Sequence, residues 1–475
     1  MSTKKTRAKT GRLAGKVAMI TGAGGNFGET LVRRYLEEGA HVVMVGRNRA
    51  KLESTLEHIR GQIGKAADAA LVLPFDAADP GQARVGIETV IEKYGRLDVL
   101  LNNAGSTGPK TPLGQAPLTR EEVDALRAAG ANDTETVREA VSNLFGLTWN
   151  MCRVPAPHRK PGASIINVST IFSRTRYYGR APYVVPKAAL NTFSRHLALQ
   201  LGPKGIRVNL IYPGPIESER IHNVFAAMDK LKKVGHGTTA SDFLGTMALS
   251  VEKADGTLAP AYPTIDDVAA AAVFLGSDES KSFSAQSFEV TNGMQVWQES
   301  RSTFTARPEL RTLDGSGATV LVAGGDQVAD ALEIARVQAA TGAHVLLGLG
   351  SEEGVRAARA ALGREGEDAR IEPVLFDRSR AGTLADVLSA SRAQASQAHG
   401  PLHGAVILPA YGAYRFREPL CEVSDTDVDN FLTTELCGAI SVARELTRFW
   451  SATAPRNAAP RAVFMSNGDD GAGNV

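Results

Sequence analysis

Cysteine is scarce in this chain of 475 residues: three thiols, Cys152, Cys421 and Cys437, stand in no metal-ligating spacing. That argues against a disulfide framework and a zinc site, and suits a reducing compartment. Long apolar runs are missing too, and none approaches the length that crosses a bilayer. Charge of one sign is not in excess either. Lys and Arg number 53 against 51 Asp and Glu, a formal net charge of +2, so no global field points to nucleic acid. The one local excess, Lys4, Lys5, Arg7, Lys9 and Arg12, has no apolar segment behind it and is neither a secretory signal nor an anchor. Residues 1–12 read as a disordered basic tail. The protein reads as soluble and cytoplasmic, with neither nucleic acid nor membrane as a partner.

What is present is an alternation of apolar runs and amphipathic stretches from Leu13 onward, the pattern of a parallel sheet covered by helices. Strands are predicted at 16–20, 41–45, 70–75, 97–101, 164–168, 207–211 and 288–291. A helix is predicted over 29–38, with Leu31, Val32, Tyr35 and Leu36 inward and Gly39 as its stop, and another over 265–275. Together they make one doubly wound α/β domain over 13–297, and residues 298–316, which lack an apolar period, read as a linker.

Then the pattern restarts. Gly39-Ala40-His41-Val42 recurs as Gly342-Ala343-His344-Val345, and Leu73-Pro74-Phe75-Asp76 as Val374-Leu375-Phe376-Asp377. An offset of about 300 residues marks a duplicated domain rather than a solenoid. Residues 317–475 are thus predicted to be a second Rossmann-like domain, degenerate and incomplete. Its first turn reads Ala323-Gly324-Gly325-Asp326-Gln327, and the aspartate would repel a pyrophosphate. Asn102-Asn103-Ala104-Gly105 becomes Ile407-Leu408-Pro409-Ala410, and Ser169-Thr170 becomes Ser466-Asn467. This copy is expected to be catalytically silent. The sequence stops at Val475, before a second Tyr/Lys helix would fall, so a fragment of a longer protein is expected.

Tyr183-Val184-Val185-Pro186-Lys187 places a phenol and an ammonium on one helix face. The cation favours the phenolate and lowers the tyrosine below its ordinary value of ~10, so the pair can deliver a proton near neutral pH. Alone the spacing is weak, because such pairs are common on solvated helix surfaces. Its company makes it specific. A strand running into Thr21-Gly22-Ala23-Gly24-Gly25-Asn26-Phe27-Gly28, then a helix, presents backbone N–H groups to a pyrophosphate. An ordinary glycine-rich turn is the plain alternative. The second strand ends in Arg47-Asn48-Arg49, without the acidic residue that would take the ribose hydroxyls of NAD. Arg47 offers a planar cation for the 2′-phosphate of NADPH instead. Asp76, with Ala77, falls beside an adenine edge, or Asp76 caps a helix. A hydroxyl from Ser169 or Thr170 would polarise a carbonyl oxygen. Asn143 would hold a water leading to Lys187, or is a buried amide satisfied by backbone.

This set resembles the short-chain dehydrogenase/reductase family over residues 13–295. The resemblance implies that Tyr183 is the proton donor and that Lys187 orients the nicotinamide ribose and lowers the tyrosine's pKa. It implies a proton relay through Asn143, and a polarising hydroxyl from Thr170 by spacing or Ser169 by identity. Asn103, Ala104 and Gly105, with Pro213, Gly214, Ile216 and Ser218, would line the cofactor, and no metal is called for. The glycine turn departs from the family's usual Thr-Gly-x-x-x-Gly-x-Gly at Asn26, where asparagine's tolerance of left-handed backbone is expected to preserve it. Members often pair through helices flanking the site, which leaves a homodimer open.

Residues 165–190, with Ser169-Thr170-Ile171-Phe172-Ser173-Arg174 and Tyr177-Tyr178-Gly179-Arg180 ahead of Tyr183, resemble the N-terminal half of the bifunctional malonyl-CoA reductases. Pro213 to Arg220, the degenerate second domain and Ser466-Asn467-Gly468 share that resemblance. It implies reduction of malonate semialdehyde to 3-hydroxypropionate with NADPH, and an absent C-terminal half that reduces malonyl-CoA. A cation near Tyr183 is then expected to hold the substrate carboxylate: Arg180 first, Arg174 second, with Arg176 and Arg220 also in reach. For each, a solvated surface charge is the plain alternative. A reductase of another small aldehyde or ketone would use the same residues. A nucleotide-binding scaffold without turnover is the reading from another class, and the intact Tyr/Lys/hydroxyl set argues against it.

Overall fold

Runs of Val, Ile and Leu buried on both faces build two parallel sheets in the computed structural model of this protein. The structure describes residues 11–106, 108, 119–128, 136–153, 160–174, 180–253, 255–294, 316–363, 368–377, 387, 402–408, 424, 426, 429, 433, 437–453 and 461–464. Lys4, Lys5, Arg7, Lys9, most of the 298–316 segment, Arg176, Cys421, Pro409-Ala410 and Ser466-Asn467 lie outside the described residues.

The first sheet runs through β1 (Val17–Thr21), β2 (His41–Gly46), β3 (Ala70–Pro74), β4 (Val99–Asn102), β5 (Ser164–Val168), β6 (Arg207–Pro213) and β9 (Ser287–Val290). Its order is β3-β2-β1-β4-β5-β6-β9, parallel throughout. All the predicted strands are present, with ends moved by two residues at most. A short antiparallel pair, β7 (Ser250–Glu252) and β8 (Leu258–Pro260), had no clear signal in the sequence. Its helices are α1 (Asn26–Glu37), α2 (Arg49–Ile63), α3 (Pro80–Tyr94), α6 (Leu147–Arg153), α7 (Ala181–Leu201), α8 (Glu219–Lys232), α9 (Thr238–Gly245) and α10 (Ile265–Gly276). Leu31, Val32 and Tyr35 of α1 share a core with Ala269, Ala272 and Val273 of α10. Tyr35 also donates from its hydroxyl to the Ala272 carbonyl at 2.7 Å, which satisfies a fully buried phenol. Arg12, predicted within the tail, is instead anchored: its guanidinium donates to Glu38 Oε1 at 2.6 and 2.9 Å.

The second sheet is built from β10 (Thr319–Gly325), β11 (His344–Leu349), β12 (Ile371–Leu375), β13 (Leu402–Ile407) and β14 (Arg461–Phe464). Its order, β12-β11-β10-β13-β14, repeats that of β3-β2-β1-β4-β5 strand for strand. The helices α11 (Val328–Ala340), α12 (Glu352–Ala361) and α13 (Gly438–Thr453) accompany it. Among the described residues no helix is long and apolar enough to cross a membrane.

The two compact units interleave in sequence, whereas the predicted division was contiguous. The described residues of 1–107, 142–177 and 183–299 form the first, and those of 108–141, 178–182 and 300–475 the second. The second unit therefore holds α4 (Arg120–Ala128) and α5 (Val137–Val141) as well. A polar network binds these helices to α13. Arg444, whose side chain is 1 % exposed, donates to Glu122 at 2.5 Å, and Arg448 reaches the same carboxylate at 3.3 Å. Arg138 of α5 donates to Thr433 Oγ1 at 2.8 Å, and Arg120 pairs with Glu139 at 2.8 Å.

The asymmetry of that buried pair has a measurable consequence. Glu122 is 34 % exposed, so water can take it over if Arg444 is lost, whereas Arg444 without Glu122 is a buried charge left, among the described residues, with only Glu445, 3.5 Å away. Glu122→Ala should cost about 3 kcal/mol in denaturant unfolding, and Arg444→Met clearly less. Equal costs would remove the argument from burial.

Candidate active site

The strand order reverses between β1 and β4, and the crevice beyond their carboxyl ends is where open α/β sheets take ligands. Thr21 stitches that point together. Its Oγ1 accepts from the Asn103 and Ala104 backbone N–H groups, both at 3.1 Å, and Asn103 Nδ2 returns a bond to the Thr21 carbonyl at 3.2 Å. Two glycines are obligatory here. Gly22 has φ +69°, and a Cβ on it would stand 2.8 Å from Ala104 Cα; one on Gly28 would stand 2.1 Å from the Gly22 carbonyl oxygen. Asn26 does not use the left-handed backbone expected of it. It is the first residue of α1, and the positive φ of the turn falls on Gly22. The turn survives because Asn26 takes an ordinary helical backbone, which needs no glycine's freedom. Phe27 follows inside α1, and Gly25 is its N-cap with no side chain bonded to the helix end. By contrast Asn48, Asp79 and Ser218 cap α2, α3 and α8. The first N–H groups of α1 are thereby left for an anion, and the close-packed glycines let a pyrophosphate approach them. The residues fit a dinucleotide.

Arg47 is exposed and has no ion-pair partner among the described residues, whereas Arg49 pairs with Glu53 at 3.3 Å. The Asn48 side chain is spent on its cap, accepting from Lys51 N at 3.0 Å. Asp76 Oδ1 accepts from Ala78 N at 2.9 Å, and the Ala77 carbonyl accepts from Asn150 at 3.2 Å. Asp76 and Ala77 thus form the turn into α3, while the cap of α3 is Asp79.

Lys187 lies on α7, 5 % exposed, and its Nζ donates to the Val168 carbonyl at the end of β5, 2.7 Å away. Burial pulls its pKa down to about 8, and the like charge of Arg220 adds to the fall. Tyr183 is half-buried on the same helix, one turn earlier. Asn143 sits in a π-helical turn, Ser142–Gly146, between α5 and α6. A methyl group added at Gly105 would stand 3.8 Å from Lys187 Nζ and 3.9 Å from the Asn143 carbonyl oxygen, so β4, the π turn and α7 converge there.

The two candidate hydroxyls differ in what they hold. Ser169 donates to Asn191 Oδ1 at 2.6 Å, with the Lys187 carbonyl at 3.3 Å, so its single proton is committed. Thr170 Oγ1 accepts from Phe172 N at 3.3 Å, and among the described residues nothing takes its proton. Sequence reasoning missed Asn191, and also a buried ladder behind the site. Asn102 donates to Asn167 at 2.8 Å and Asn167 to Ser194 at 2.8 Å, joining β4, β5 and α7. Amides and a hydroxyl on otherwise apolar buried faces were the available signal.

Downstream, Pro213 ends β6, and Gly214 donates to the Val290 carbonyl at 2.9 Å. Ser218 donates to the Ile216 carbonyl at 3.0 Å and caps α8. Arg174 is held by Glu289 at 2.7 Å and lies over the Tyr212 ring. Arg180 is buried and belongs to the second unit. Arg220, in the first turn of α8, is exposed with no ion pair among the described residues, and its charge is felt at Lys187.

A family model described as short chain dehydrogenase matches residues 16–229. L-fucose dehydrogenase of Oryctolagus cuniculus is 30% identical over 292 residues, covering 61% of this chain and 88% of its own length. Momilactone A synthase of Oryza sativa subsp. japonica is 29% identical, over 62% of this chain and 94% of that protein. The chain belongs to the short-chain dehydrogenase family. Its likeness to one solved structure extends well beyond the shared domain. The crystal structure of the N-domain, with NADP, of a bacterial malonyl-CoA reductase matches it at 45% identity and TM-score 0.90, over 97% of this chain and 84% of that one.

A lowered lysine loses its proton as pH rises through about 8. The reductive kcat/KM, measured with a neutral aldehyde, should therefore be level below that pH and fall above it. Removing the like charge in Arg220→Ala lets Lys187 keep its proton longer, so the bend should move to higher pH. A bend that stays put or moves down would separate Arg220 from this lysine.

Proposed function

We propose that this chain reduces an aldehyde with NADPH, and that its substrate is malonate semialdehyde, reduced to 3-hydroxypropionate. The observation that carries the chemistry is the buried Lys187 tethered to Val168 at the end of β5, with Tyr183 one turn away on α7 and Thr170, two residues past Val168, giving its proton to none of the described residues. Gly22, Gly25, Gly28 and the open end of α1 would hold the pyrophosphate, and Arg47 the 2′-phosphate. When bound, the cofactor supplies a hydride to the aldehyde carbon. The carbonyl π pair then moves onto oxygen, where Thr170 donates a hydrogen bond and Tyr183 delivers the proton. Lys187, fed through the Asn143 turn, restores that proton. Lys187, lowered only to about 8, still holds a proton near neutral pH, and Ser169 has none to spare.

Support for the substrate comes from the likeness to the malonyl-CoA reductase N-domain, with the NADP named for that structure supporting the cofactor. That structure is named an N-domain, which supports a further part of the enzyme as partner, and Asp326 in the second unit's turn supports reading that unit as silent. Among the first unit's arginines we favour Arg220 over Arg174 for the substrate carboxylate, because Arg174 is already engaged by Glu289, while Arg180, the first expectation, falls in the second unit.

The test is NADPH oxidation by the purified chain with malonate semialdehyde beside propanal. Tyr183→Phe should lower kcat on both by about 10²–10⁴-fold while NADPH binding stays near its original level. Near-full turnover by that variant would refute the proton donor. Arg220→Ala should cost about ten- to a hundred-fold on the acid aldehyde alone, the value of one charge-assisted hydrogen bond. Equal losses on both aldehydes would leave the carboxylate without this partner. With NADH in place of NADPH, Arg47→Ala should change little, because only NADPH carries the 2′-phosphate; a parallel loss with both would dismiss that contact.

A further inference from the structure

Asn191 lies on α7 one turn beyond Lys187, 6 % exposed, and both ends of its amide are used in a fixed sense. Its Oδ1 accepts from Ser169 Oγ at 2.6 Å, and its Nδ2 donates to Ser173 Oγ at 2.8 Å. Ser173 in turn donates to the Thr170 carbonyl at 2.6 Å. Each serine has one proton, so the chain runs one way: Ser169 to Asn191, Asn191 to Ser173, Ser173 to Thr170. It brackets Thr170 from both sides, occupies the neighbouring hydroxyl and fixes the backbone that carries the free one. Only an amide serves in the middle. A carboxylate would accept from both serines, and Ser173 would have to release the Thr170 carbonyl to supply it.

We propose that Asn191 is a positioning residue which withdraws the Ser169 hydroxyl from the reaction and holds the β5 end so that the Thr170 hydroxyl meets the substrate oxygen. The proposal rests on the reading of Thr170 as the polarising group. It gives a chemical task to a residue outside the Tyr/Lys set, and it explains how two adjacent hydroxyls are kept from competing for one carbonyl.

A double-mutant cycle on the full chain tests it, with kcat, substrate KM and NADPH affinity as readouts. Asn191→Ala should lower kcat about tenfold or more while NADPH affinity stays within about twofold, since the chain touches no cofactor-binding turn. In a Thr170→Ala background the same substitution should cost less than about twofold, because the group it positions is gone. Equal losses in both backgrounds would overturn the proposal while leaving Thr170 in its role. A Thr170→Ala variant with unchanged kcat would overturn both readings. If Asn191→Ala does not fold, Ser173→Ala, which removes only the last link, carries the same cycle with a smaller first loss. Retention of full kcat by both Asn191→Ala and Ser173→Ala also defeats it.

Discussion

A buried ammonium sets the arrangement of this site. Lys187 is almost wholly withdrawn from water, and such a cation persists only where acceptors are built for it. The Val168 carbonyl, left open where β5 ends, is one. With the bonds from Asn167 to Ser194 and from Ser169 to Asn191, it ties α7 to the end of β5, and helix periodicity does the rest. Tyr183 falls one turn before and Asn191 one turn after, on the same face. Desolvation lowers the lysine's pKa to about 8, so its hold on the proton is weaker than that of a lysine in water.

The second sheet shows how folding and chemistry come apart. It keeps the strand order of the first and keeps close helix approach, since a Cβ on Gly324 would stand 2.3 Å from Ala331 Cβ. Its turn nonetheless carries Asp326, and Ile407-Leu408 stands where the first unit has Asn102-Asn103. The constraints that shape a turn are steric and persist. Those that favour an anion are electrostatic, and a carboxylate in such a turn works against them whatever the backbone's shape.

Much of this was legible in the sequence for the same reason. Buried parallel strands are continuous apolar runs, so each was visible within a residue or two, and glycines required by Ala104 and Gly22 stand out in a fixed pattern. The assignment of Asn26 to a left-handed backbone failed because the helix begins sooner than its apolar face suggests. Asn191 was invisible because its partners, Ser169 and Ser173, come together only when β5 meets α7. The interleaving of the units was more hidden still. Glu122 and Arg444 are 322 residues apart, and neither carries a local mark of its partner.

That interleaving makes the boundary between the units a matter of topology rather than of linker chemistry. Three separate stretches of chain enter the second unit, so no single peptide-bond break parts it from the first. A polypeptide ended near residue 300 would still carry Glu122 and Arg138 but would lose Arg444, Arg448 and Thr433, to which they bond. The second unit is thus woven from chain on both sides of the first, and a cut chosen by sequence position alone would divide α4 and α5 from the α13 they belong with.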